Sequence, residues 1–324
     1  MIGYLAPLEG ITTHVYRNAL HRHFAPMDKY FTPFISPAKK RPLRTREKRD
    51  VLPENNASLP VVPQILTNDA QLFLEVCRSL QDLGYEEVNL NLGCPSGTVA
   101  GSGKGAGFLL HPEELDRFLD TVFSAAGVKI SVKTRLGWDS PSEFEELLPI
   151  FNRYPLTELI LHPRVRREYY RDTPHREAFR EALTACRCPL IYNGNLFTPA
   201  QVTGLAEECP GAAGVMLGRG LIAMPCLWNR VQGVPAGRET LRAFHDEIYA
   251  GYRDILSGPD PVIHKMKELW CYMVQSFTNY PSYEKALRKA HRLSEYEAIV
   301  SRLFAEETLS DAGFVPPQGW QVKG

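Results

Sequence analysis

Eight short apolar or alternating runs, separated by helix-like stretches, constrain this chain more than any other feature. They are Gly3–Ala6, Lys29–Phe34, Pro60–Leu66, Glu87–Leu92, Lys129–Thr134, Glu158–Leu161, Leu190–Asn193 and Gly214–Leu217. Glu87-Val88-Asn89-Leu90-Asn91-Leu92 shows the rhythm best, polar and apolar in turn, as a strand does. Between the runs lie Thr13–Arg22, Asp69–Leu83, Pro112–Ala126, Ser142–Asn152, Arg176–Ala185 and Pro199–Glu208, which read as helices. Asn68 before Asp69, Pro112 and Pro199 at first-turn positions, and acid in Ser140-Pro141-Ser142-Glu143 mark helix starts. The second unit is the weakest, with little helix between Pro37 and Pro60 beyond Arg44–Val51. Such alternation implies a parallel sheet, and eight units close it into an α/β fold, the (β/α)8 TIM barrel.

The pattern changes after about Gly233. Val234-Pro235-Ala236-Gly237 reads as a linker, and Leu241–Leu256, Val262–Phe277, Tyr283–His291 and Ser294–Glu307 carry helical periodicity. The expected organisation is a catalytic barrel over 1–233 and a small C-terminal helical bundle over 238–324. With 324 residues, 44% of them hydrophobic, the chain has enough apolar material for a large core. Its net charge is zero, so a polyanionic partner must be met by local basic patches. The seven cysteines form no CxxC pair and no zinc-ligand spacing, so no metal site is expected; Cys186-Arg187-Cys188 has the look of a metal or redox pair, but the absence of further ligands nearby argues against that reading. The odd cysteine count and the lack of a secretory leader favour the cytoplasm. No apolar stretch approaches the roughly 20 residues needed to span a bilayer.

The ends of these strands are unusually polar. They offer Pro7-Leu8-Glu9-Gly10, Gln64, Asn91 with Cys94, Lys133-Thr134-Arg135, His162-Pro163-Arg164, Asn193-Gly194-Asn195 and Gly218-Arg219-Gly220. A purely structural barrel has no need to gather such groups on one rim, where each costs desolvation. The last two ends suit a phosphate, since loops after strands seven and eight of barrels present glycine N–H groups to one. Lys133 can stabilise negative charge building on a reduced flavin ring, and Gln64 both donates and accepts, matching an imide edge. This set fits flavin mononucleotide (FMN) better than a dinucleotide. Gly101-Ser102-Gly103-Lys104-Gly105-Ala106-Gly107 follows Cys-Pro rather than a first Rossmann strand, and reads as a mobile loop covering substrate.

Ala6-Pro7-Leu8-Glu9-Gly10, Pro63-Gln64, Asn89 to Pro95, Val132 to Arg135, His162 with Arg164, Asn193-Gly194-Asn195 and Gly218-Arg219-Gly220 together resemble the flavin-dependent tRNA-dihydrouridine synthases. They fall in that family's order across nearly the whole barrel, and the helical tail is similar to its second domain. The resemblance implies reduction of the C5=C6 bond of uridine in tRNA by FMN recharged with NADPH. It implies Cys94 as the proton donor and Asn91 as the holder of the uracil, with Arg135 and Arg164 beside the substrate. Pro7, Leu8, Glu9, Gln64, Lys133, His162, Asn193, Gly194, Asn195, Gly218 and Arg219 would hold FMN. Two departures stand out: Leu8 replaces the family's usual methionine, and Pro163 replaces a common glycine, stiffening the approach of His162.

Three basic clusters suit phosphate contacts. Lys39 to Arg49 holds seven basic residues and one acid in eleven positions. Arg164, Arg166, Arg167 and Arg171 crowd a second loop with Tyr169 and Tyr170, and Lys285, Arg288, Lys289 and Arg292 recur at helical spacing. The tail as a whole is not basic, with eleven Lys/Arg against twelve Asp/Glu from Arg238 onward. The expected protein is a monomeric tRNA-dihydrouridine synthase. Ribosomal RNA as substrate, a flavin barrel reducing a free pyrimidine or enone, and a non-catalytic RNA-binding homologue stay open as alternatives.

Overall fold

The computed structural model describes residues 1–316 apart from 40, 41 and 57, so Lys40 and Arg41 of the basic run lie outside the described residues. Strands run Ile2–Leu5 (β1), Lys29–Phe31 (β2), Val61–Val62 (β3), Gln64–Ile65 (β4), Glu87–Leu92 (β5), Lys129–Gly137 (β6), Leu159–Val165 (β7), Leu190–Tyr192 (β8) and Gly214–Leu217 (β9). All neighbours are parallel, in the order β3-β2-β1-β9-β8-β7-β6-β5-β4. The run 60–66, expected as one strand, is two. Pro63 has no N–H to give a ladder, so the chain breaks there. Val61 and Val62 pair with β2, and Gln64 and Ile65 pair with β5. The two ends of the sheet are thus consecutive in the chain, and the sheet closes as a (β/α)8-type barrel of nine strand segments.

Helices follow the strands: His14–His23 (α1), Thr45–Val51 (α2), Ala70–Gln81 (α3), Gly97–Ala100 (α4), Pro112–Ala125 (α5), Phe144–Phe151 (α6), Arg176–Ala185 (α7), Pro199–Glu208 (α8), Arg219–Ala223 (α9) and Leu227–Gln232 (α10). Helix α3 starts one residue later than expected because Asp69 caps it, its carboxylate accepting from Gln71 N at 2.9 Å and Leu72 N at 3.1 Å. Strand β7 runs through Pro163, so His162 and Arg164 stand in a strand and not in a loop. The register between β6 and β7 shifts after Arg135, beside that proline.

Beyond residue 238 come Arg238–Ile255 (α11), Pro259–Met273 (α12), Pro281–Lys289 (α13) and Leu293–Glu306 (α14). They are not set apart from the barrel. Tyr16 of α1 and Phe24, which caps its C-terminus, pack edge-on against Phe244 of α11, with centroids 5.4 and 5.2 Å away, and one buried apolar cluster joins the barrel helices to the tail. Inside the barrel, Phe31, Val62, Ile160, Ile191 and Met216 form a smaller cluster. Below it, at the strand N-termini, the Lys29 ammonium lies 2.8 Å from Glu87 and 3.1 Å from Glu158, and the Tyr4 hydroxyl donates to Glu158 at 2.6 Å. No helix among the described residues is long and apolar enough to cross a membrane.

Candidate active site

The opposite, C-terminal end of the barrel opens into a cavity of about 590 Å³. Paired residues of parallel strands point the same way, and the register sets Asn91 beside Lys133 and Arg135 beside His162. Pro7, Leu8, Glu9, Gln64, Asn91, Cys94, Lys133, Arg135, His162, Asn193, Gly194, Asn195, Gly218 and Arg219 all line it. Arg164 is not among the lining residues.

A chain of amides orders one wall. Asn91 Nδ2 donates to Gln64 Oε1 at 2.7 Å, Gln64 Nε2 to Asn89 Oδ1 at 2.8 Å, and Asn89 Nδ2 to Ser131 Oγ at 3.0 Å. Asn91 Oδ1 also accepts from the N–H groups of Gly93 and Cys94, each at 3.0 Å. Its carboxamide therefore holds the Cys94 backbone first, leaving one N–H for a ligand. Burial pushes the Cys94 thiol above its ordinary pKa, so it stays protonated at neutral pH.

The glycine loop supports this cysteine from behind instead of covering the cavity. Residues 105–110 form a 3₁₀ segment, buried from Gly105 to Leu109, and Ala106 N donates to Cys94 O at 3.1 Å. Gly105 adopts φ 55°, and a Cβ there would stand 2.9 Å from Cys94 Cβ, so both backbone shape and space demand glycine. At Gly194 the demand is spatial, because a Cβ would meet the Tyr192 hydroxyl at 2.4 Å.

The far wall is cationic. Lys133 is half-buried with no hydrogen-bond or ion-pair partner among the described residues. Burial and the neighbouring Arg135 lower its pKa from 10.5 to about 7. His162 is driven well below its ordinary pKa by burial and by the cations Arg135, Lys133, Arg164 and Arg219, and is neutral. Its Nε2 accepts from Arg164 Nη1 at 2.8 Å, which leaves the proton on Nδ1. Arg219 donates to Asn195 Oδ1 at 2.8 Å. Glu9 faces Arg46 of the basic run at 3.2 Å.

The two arginines expected beside the substrate both hold backbone carbonyls. Arg135 is buried and donates to the carbonyls of Gly93 at 2.9 Å, Val165 at 3.0 Å and Tyr169 at 2.8 Å. Arg164, fully buried, donates to Asp172 O, to His162 and to Asn195 at 3.4 Å. Both guanidinium groups thus fix the loops that carry the site; Arg135 also lines the cavity, whereas Arg164 does not. Residues that the sequence did not single out complete the wall: Phe34, Phe197 and, from α12 in the tail, Glu268, Cys271 and Tyr272. Nothing in the local pattern of α12 distinguishes these three from ordinary helix positions. No group of three or more His, Cys, Asp or Glu suited to a metal occurs among the described residues.

Fold and site together define a closed α/β barrel with a cationic ligand cavity and a protonated thiol at its C-terminal rim. Residues 4–303 match the family model described as dihydrouridine synthase, and the chain belongs to that family. It is similar to a "Probable tRNA-dihydrouridine synthase" of Staphylococcus epidermidis, 30% identical over 244 residues, covering 73% of this chain and 74% of that one. A protein of the same name from Staphylococcus aureus is 31% identical over 245 residues, covering 73% of each chain. Among solved structures, an old yellow enzyme homologue from Zymomonas mobilis superposes with a TM-score of 0.52 over 74% of this chain and 91% of that one. At 11% identity this is a likeness of fold.

Proposed function

We propose that this chain is a tRNA-dihydrouridine synthase that reduces the C5=C6 bond of uridine, with FMN as hydride carrier, NADPH as reductant and Cys94 as proton donor. The observation that carries the reading is that Cys94 and Lys133 open onto the same cavity. Family membership and the names of the similar proteins point the same way.

The residues present fit FMN. The cavity lies within the range of about 300–1,000 Å³ usual for ligand sites, and an unpartnered lysine awaits an electron-rich ring. Arg219, with Asn195 and the Gly218 backbone, suits a phosphate at one end, and Pro7 and Leu8 supply an apolar wall. Bound there, FMN would supply the hydride transfer that no side chain performs.

The chain's own groups do the rest. The Cys94 thiol, kept protonated by burial, has a proton to give at neutral pH. The thiolate left behind is favoured by Arg135 and Lys133, both of which pull its pKa down. Asn91 fixes the Cys94 backbone and keeps one N–H for a ring carbonyl. Gln64 keeps one Nε2 hydrogen, and neutral His162 offers Nδ1–H as a donor. Arg135 and Arg164 hold these groups in place.

The RNA reading rests on exposed cations. Lys285, Lys289, Arg288 and Arg292 face solvent on and just beyond α13, while Tyr283 and Leu287 of the same helix are buried. A uridine must leave its stack to reach the cavity, and Tyr169, Tyr170 and Tyr272 line it. We assign the tail helices a share of the tRNA contacts and the barrel the chemistry.

The test uses purified protein. It should carry a flavin spectrum, NADPH should bleach it, and unmodified tRNA should gain dihydrouridine while free uracil does not. Absence of flavin, or equal turnover of free uracil, would overturn the reading.

A further inference from the structure

The segment between β7 and α7 has a geometry that its basic composition does not convey. The Arg166 guanidinium lies 4.6 Å from the Trp138 ring centroid and 4.8 Å from that of Tyr169. The Arg171 guanidinium stands 5.9 Å from the same Tyr169 ring. Neither arginine has a carboxylate partner among the described residues, and the buried Arg166 Nε has no acceptor.

The acids nearby are paired with other groups or exposed, and none forms an ion pair with Arg166 or Arg171 among the described residues. Asp139 pairs with Arg167 at 2.6 Å, Glu168 accepts from Val165 N at 2.9 Å and faces His175 at 2.6 Å, and Asp172 is exposed. The segment is pinned from both sides, by Arg167 N to Trp138 O at 3.1 Å and by Arg135 to Tyr169 O at 2.8 Å. Tyr169 itself sits at φ 51°, a strained value for a tyrosine. It lines the cavity together with Ser96 and Val99, and a Cβ on Gly97 would stand 4.0 Å from Arg166 Nη2. Arg166 thus borders the mouth on the Cys94 side.

Two guanidinium groups ordered on one ring without a counter-anion, one with an unmet buried N–H, lack an acceptor that a phosphate oxygen supplies. A nucleotide whose base enters the cavity brings its own phosphodiesters to this mouth. We propose that Arg166 and Arg171, ordered on the Tyr169 ring, bind the RNA phosphodiester beside the reacting uridine, so that a strand is selected over a free base. This rests on the RNA substrate proposed above. A nucleotide reductant also carries phosphate, so the experiment separates the two sources.

The Arg166→Ala/Arg171→Ala double variant of the flavin-loaded protein is titrated with unmodified tRNA across a salt series. The expected result is a log–log salt slope smaller by about 1–2 and a KM for RNA raised about tenfold, with kcat within about twofold. Bleaching of the flavin by NADPH stays unchanged. Tyr169→Phe keeps the wild-type slope, whereas Tyr169→Leu lowers it. Should the double variant fail to fold, Arg166→Gln and Arg171→Gln singly each lower the slope by about 0.7–1. An unchanged slope and KM, or a defect confined to the NADPH step, overturns the proposal. RNA binding is read on flavin-free protein as well, so failure of the flavin chemistry and failure of this subsite give different results.

Discussion

The two ends of the barrel each hold a half-buried lysine, and they treat it in opposite ways. At the N-terminal end Lys29 sits between Glu87 and Glu158 with Tyr4 closing the group, so its charge is answered on two sides. At the C-terminal end Lys133 meets Arg135 and no carboxylate, and its pKa falls to about 7. Balanced polar groups stabilise a fold; unbalanced ones mark a place that something else completes. The proposed chemistry thus falls at the end whose lysine is left unanswered.

The sharpest test of that division is Cys94→Ala. It should lower uridine reduction by about 10²–10⁴-fold, the range of a lost proton donor, while the melting temperature and the bleaching of flavin by NADPH hold steady. Full activity in this variant would remove the proton-donor role.

The lysines themselves should separate next. Lys29→Met leaves two carboxylates facing each other and should destabilise the protein by about 3–5 kcal/mol, as breaking a buried pair does. Lys133→Met removes a cation without a partner and should leave stability unchanged or raise it, yet weaken flavin retention. Chemical unfolding of both variants checks this, and equal losses would erase the contrast.

A pH series refines the same point. The folded pKa of Lys133, about 7, lies below its ordinary 10.5, so the unfolded chain holds one more proton between those values. Stability of the flavin-free protein should climb as pH rises from 7 towards 10.5, and this part of the climb should vanish in Lys133→Met. The smallest effect is expected for Gly105→Ala. Forcing a side chain into φ 55° and against Cys94 should cost about 1–2 kcal/mol in unfolding experiments and slow turnover by displacing the thiol.

Much of the barrel is legible without coordinates because its signals are local. Strands β5 and β9 and helices α7 and α8 have the bounds that alternation and periodicity predict, and the polar strand ends converge as barrel geometry requires. What escapes is non-local or too short to show a period. Helices α4, α9 and α10 span fewer than two turns. Pro63 marks a break that composition alone could have suggested. The Lys29–Glu87–Glu158 group joins residues far apart in the chain, each an ordinary polar position when read alone. Arg135 and Arg164 each bind several backbone carbonyls or neighbouring side chains, a framework role that no local pattern announces; Arg135 lines the cavity as well, and Arg164 lies behind it. Tyr272 reaches the cavity through the docking of α12, which no pattern within α12 announces.

That reach of α12 has a mechanical outcome. The same cavity is walled by Ala6, almost at the start of the chain, and by Tyr272, well beyond the exposed Val234 of the connecting segment. Whatever fills it grips both pieces of polypeptide at once. A protease cut near Val234 should leave fragments that stay joined, and release of the occupant should loosen them.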